Sequence, residues 1–78
     1  MKTNEVIARW ALEFSTMIET MVEESGLILA SSTDVVNAAL RMVVYSKQDV
    51  QSKEDMAKAV QKATKKVINY WKTQEKML

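Results

Sequence analysis

Residues 34–46, DVVNAALRMVVYS, decide how this chain folds. Val35, Val36, Ala38, Ala39, Leu40, Met42, Val43, Val44 and Tyr45 leave only Asn37 and Arg41 as clear polar positions. A helix on the surface of a domain shows one apolar stripe and a polar remainder. This segment is too apolar all round for one neighbouring helix to cover it. It is expected to be sandwiched inside a helical bundle or pressed against a second copy of the chain, with Val35, Val36, Ala39, Leu40, Met42 and Val43 as the self-association residues. Ser32 or Thr33 is expected to cap it and Asp34 to complement the positive helix end, which predicts a helix over about 33–46.

Upstream, Ile7, Trp10, Phe14, Met17 and Met21 recur at alternating steps of three and four. Glu5, Arg9, Glu13, Thr16, Thr20 and Glu23 follow the opposite side. The two stripes predict one amphipathic helix over about 4–25, capped by Thr3 or Asn4 and closed by Gly26 in the left-handed conformation. Between the two helices, Leu27, Ile28 and Leu29 are too apolar for an ordinary exposed loop. Either they plug one end of the bundle or extend the next helix backward, or they form a contact patch for a protein partner.

Downstream, KQDVQ (47–51) reads as a short linker. Ser52 then caps a third helix over about 53–76, with Asp55 completing an approximate capping box. Met56, Val60, Ala63, Val67 and Tyr70 form its inner stripe, flanked by Ile68 and Trp71. Lys58, Lys62, Lys65, Asn69, Lys72 and Lys76 form the outer one. Short linkers suit three helices packed on one another. The expected fold is therefore all-α, a compact three-helix bundle over residues 1–78 as a single domain, completed by homodimerisation.

Composition narrows the chemistry. A chain of 78 residues without cysteine or histidine has no disulfide staple and none of the common zinc ligand sets. A core this small rarely supplies more than about 3–5 kcal/mol, which favours reinforcement by a partner. The same absences remove a serine–histidine triad and a thiolate nucleophile, and a single glycine removes a phosphate-cradling loop. Glu23 and Glu24 are adjacent on a helix, so they diverge by about 100° and do not converge on one substrate atom. No enzymatic activity, cofactor or small-molecule substrate is expected. The leading residues MKTNEVIARW lack signal-peptide features, and no run approaches the roughly 18–20 apolar residues of a membrane span. A cytoplasmic protein is expected.

Charge is divided. Residues 1–46 carry three basic against six acidic side chains, a balance of −3; residues 47–78 carry eight lysines against four acids, a balance of +4. Lys58, Lys62, Lys65, Lys72 and Lys76 could run beside the phosphates of a polyanion, or simply keep the third helix in water. The second reading fits lysine's ordinary place on exposed helix faces and the absence of arginine from this helix. Peripheral contact with an anionic membrane through the same lysines, with Trp71 at the interface, is a further possibility, though no membrane partner is expected.

The stretch EESGLILASSTDVVNAALRMVV, residues 23–44, resembles the helical half of ribbon-helix-helix DNA-binding proteins. There a glycine closes helix A and a serine-capped helix B follows, much as in SSTDVVNAALR. The resemblance implies an intertwined homodimer. It also implies that the helix start at Ser31, Ser32 and Thr33 offers backbone amides to a DNA phosphate, and that an N-terminal strand lies in the major groove. That strand would come from TNEVIARWALEF, and its DNA face would hold Arg9 between Glu5 and Glu13. The Gly26–Ser32 linker is longer than the family's turn. Helix or strand over residues 4–14 thus separates two expectations. The first is a non-enzymatic, self-associating protein that acts by binding a protein partner; the alternative is a small dimeric DNA-binding regulator.

Overall fold

The computed structural model describes residues 9–10, 13–46 and 51–78. Among the described residues the fold is built from α1 (Ser15–Ser25), α2 (Ser32–Tyr45) and α3 (Lys53–Lys76). No strand occurs among the described residues. The expected caps at Thr3 or Asn4, the positions of Glu5 and Ile7, and linker residues 47–50 lie outside them.

The first helix is shorter than its periodicity predicts. Arg9, Trp10 and Glu13 are helical, Phe14 is a turn, and α1 starts afresh at Ser15. Phe14 stands at φ −99°, ψ 8° with no side-chain cap, while its carbonyl accepts the Ile18 N–H at 3.1 Å. No glycine or proline causes the break. Trp10, before the break, and Phe14, at it, both rest against the core.

At its other end α1 stops as expected. Gly26 adopts φ 71°, ψ 19°, and its N–H reaches the Glu23 carbonyl at 3.2 Å. The Ser25 hydroxyl reinforces the turn by donating to the Val22 carbonyl at 2.6 Å and accepting the Leu27 N–H at 3.2 Å.

The cap of α2 lies one residue earlier than expected, at Ser31. Its Oγ accepts the Asp34 N–H at 3.2 Å, and the Asp34 carboxylate accepts the Ser31 N–H at 3.1 Å. A capping box needs an acceptor three residues after the cap, and only Ser31 places Asp34 there. Ser52 caps α3 as expected by accepting the Asp55 N–H, but Asp55 turns its carboxylate to the Gln51 N–H at 3.4 Å instead of the Ser52 amide.

The helices run up, down and up. Glu13, just before α1, pairs with Lys53 at the start of α3 at 2.7 Å. The Ile28 N–H, in the α1–α2 loop, donates to Glu75 Oε1 near the end of α3 at 3.2 Å. Helix α3, about 36 Å long at 1.5 Å per residue, is thus the spine beside which α1 and α2 lie. Ile18 and Val22 from α1 meet Val35, Ala39 and Val43 from α2 and Met56, Val60, Ala63, Val67 and Ile68 from α3. Ala30 closes the end near the loop.

Two stripes differ from expectation. On α1 the buried residues are Ile18 and Val22, with Met17 and Met21 beside them. Strict alternation of three and four follows a 3.5-residue period, whereas the 3.6-residue helix centres its apolar side on the 14–18–22 line. On α3 the inner stripe contains the buried Thr64 and turns toward Ile68 and Trp71, leaving Tyr70 58% exposed. Thr64 is tolerated because its hydroxyl donates to the Val60 carbonyl at 2.7 Å.

Candidate interaction surfaces

Helix α2 distributes its apolar residues over three lines. Val35, Ala39 and Val43 point inward and are consumed by the core of one copy. Val36, Leu40 and Val44 on one flank keep partial access to solvent, as does Ala38 on the other. Met42 (39% exposed) and Tyr45 (77%) stand further open on that second flank. At 100° per residue the apolar arc from Tyr45 round to Val44 covers about 260°. The structure therefore divides the six expected self-association residues: Val36, Leu40 and Met42 can still meet another molecule, and Val35, Ala39 and Val43 are internal.

The loop residues divide in the same way. Leu27 packs against the core as a partial plug, whereas Ile28 is 85% exposed and Leu29 39% exposed. Ile28 is held in that position by its backbone bond to Glu75. The second carboxylate oxygen of Glu75 is buried without a hydrogen-bond partner, its nearest cation being Lys72 Nζ at 3.9 Å. Glu75 thus fixes the apolar loop to α3. Residue spacing had no means of marking it, because the contact joins positions 47 residues apart.

On α3, Lys58, Lys62, Lys65 and Lys76 are exposed, and Lys66 joins them. Lys72 is half-buried and carries the long pair with Glu75. None of Lys58, Lys62, Lys65, Lys66 and Lys76 has a carboxylate of the described residues within 4.0 Å. Trp71 is partly buried against the core, with Tyr70 set edge-on to it at 5.3 Å between ring centroids. The lysines therefore have no exposed tryptophan beside them.

Of the residues connected with DNA contact, Arg9 is helical and exposed. Ser31, Ser32 and Thr33 form the start of α2, where the Ser31 amide is engaged by Asp34. Among the described residues no group of three or more carboxylates could hold a metal ion, and no helix is long and apolar enough to cross a membrane.

A shallow groove separates α2 from α3 on the side opposite α1. Met42, Val43 and Ser46 line one wall; Ala59, Lys62, Ala63 and Lys66 line the other, around a volume of about 80 Å³. The sequence carries a signal for it: Ala59 and Ala63 are one helical turn apart and too small to fill the space between two helices. Compared with known protein families, curated proteins and solved structures, the chain matches none of them.

Proposed function

We propose that this protein is a non-enzymatic interaction module that self-associates through the flanks of α2 and acts by binding a protein partner. One observation carries the reading. A single copy satisfies its core with Val35, Ala39 and Val43, yet Val36, Leu40 and Met42 on the same helix remain accessible. Apolar residues left partly accessible on the two flanks of α2 lower the free energy of association at roughly 25 cal/mol per Å² removed from water. The exposed Ile28 and Leu29 add a second apolar contact at the end of the bundle.

A dilution series followed by amide chemical shifts tests the self-association face. Concentration-dependent shifts are expected at Val36, Leu40 and Met42, with Lys58 and Lys65 unmoved. Invariant spectra over the micromolar to millimolar range would remove this reading.

A DNA-binding regulator is the alternative, favoured by the exposed Lys58, Lys62, Lys65, Lys66 and Lys76, which have no carboxylate of the described residues within 4.0 Å. Phosphate neutralisation makes such binding fall steeply with salt. Failure to retain any duplex or single strand at low salt would exclude it.

A further inference from the structure

We infer that the groove between α2 and α3 is a docking site for an amphipathic helix of another protein whose apolar stripe is flanked by acidic residues. This deepens the partner-binding reading above and rests on it.

The groove is small, with Met42, Val43, Ala59 and Ala63 supplying its apolar atoms and Ser46, Lys62 and Lys66 its polar ones. Ala59 and Ala63 from α3 leave room beside Met42, whose thioether side chain is 39% exposed. Methionine is unbranched and polarizable, so it adapts to the shape of an incoming side chain. The central depression has a volume of about 80 Å³.

Helical register extends this line in both directions. Tyr45 lies on the same side of α2 as Met42, and Tyr70 lies one turn beyond Lys66 on α3. Both are exposed although neither is needed by the core. From Ala59 to Tyr70 the α3 wall runs for about 16 Å, three turns of a helix. Tyrosine, methionine and arginine are the residue types enriched where proteins meet.

The rim settles which partner fits. Lys62 and Lys66 line the α3 side, and Arg41 is exposed on α2, one turn before Tyr45. Neither lysine has a carboxylate of the described residues within 4.0 Å. A second copy of this chain is a poor occupant. Groove-on-groove packing about a two-fold axis would set these cations against their mates. Nor does the chain's own acidic helix fit, since the apolar line of α1, Ile18 and Val22, is already buried in the core of its own copy. A nucleic acid would use the cations but leave the apolar atoms of the groove uncovered. An amphipathic helix with glutamate or aspartate beside its apolar stripe uses both, in the helix-in-groove mode.

The test titrates the full-length, isotope-labelled chain with two synthetic amphipathic helical peptides. They share their apolar positions, and the flanks are glutamate in one and lysine in the other. The glutamate peptide is expected to bind at least tenfold more tightly, with amide shifts confined to residues 38–46 and 59–70. In the double variant Lys62→Glu/Lys66→Glu, on the solvent side of α3, the preference is expected to reverse toward the lysine peptide. Equal affinity for both peptides would overturn the assignment. So would competition by polyglutamate or a DNA duplex at the concentration effective for the glutamate peptide, or shifts centred on Lys58, Lys65 and Lys76. Sedimentation of the same samples separates the two readings. If the parent chain is monomeric but binds the glutamate peptide, self-association fails and the groove stands. If the double variant loses self-association together with peptide binding, the groove is a homotypic face and the acidic partner falls.

Discussion

Gly26 is the one residue whose backbone forces its identity. Its φ of 71° lies where a Cβ is disfavoured, and a Cβ built there would meet nothing within 4 Å. The cost of Gly26→Ala is therefore conformational, about 1–2 kcal/mol, and Gly26→Asn should cost less because asparagine tolerates this region. Chemical denaturation of both variants checks the order. Thr64 gives a contrasting case. Its hydroxyl is satisfied within its own helix, so Thr64→Val should alter stability by no more than about 1 kcal/mol, whereas Thr64→Ala leaves a void and costs more. Thermal melts of the pair distinguish packing from hydrogen bonding as the reason this position is filled. Gly26 was legible because a lone glycine after an apolar run has one common use. Thr64 was not, because its apolar methyl counts only once the 60–64–68 line is seen to face inward. Tyr70 and Trp71 were equally close to the edge of the stripe, and only packing decided which of them turned in.

At the scale of the elements, capping decides where helices start. Ser31 and Asp34 exchange two hydrogen bonds at the start of α2. Ser31→Ala is expected to lower stability by about 0.5–2 kcal/mol, and Ser32→Ala by much less, as denaturation curves would show. Three adjacent hydroxyl residues, Ser31 to Thr33, made the cap legible to within one position, and the spacing to Asp34 held the deciding information. The interruption at Phe14 had no such marker. Pattern alone favoured a continuous helix, since Trp10 and Phe14 keep the apolar spacing across the break and both pack against the core. Helix α3 was the most legible element, since its cap and its bounds fall where the sequence puts them over 24 residues, and only Thr64, Tyr70 and Lys72 depart from the expected stripes. The α2–α3 groove was the least, because it exists only between two helices and is defined by atoms that alanine lacks.

For the whole molecule, the arrangement places two unlike surfaces on one small bundle. The acidic side chains of α1 and the basic ones of α3 keep their sequence-level separation, with the Glu13–Lys53 pair as a bridge between the halves. That pair is exposed at both ends, so Lys53→Gln should change stability by less than about 1 kcal/mol. The flanks of α2 are different, because the proposed association rests on their accessible apolar residues. Leu40→Glu, at a half-buried flank position, is expected to weaken assembly while leaving the helical circular-dichroism signal in place. Sedimentation equilibrium of the parent chain across the micromolar range tests the central claim most directly. The account predicts a concentration-dependent average mass rising above the 8.9 kDa of one chain, and a lower association constant for Leu40→Glu. A single 8.9 kDa species at every concentration would contradict it.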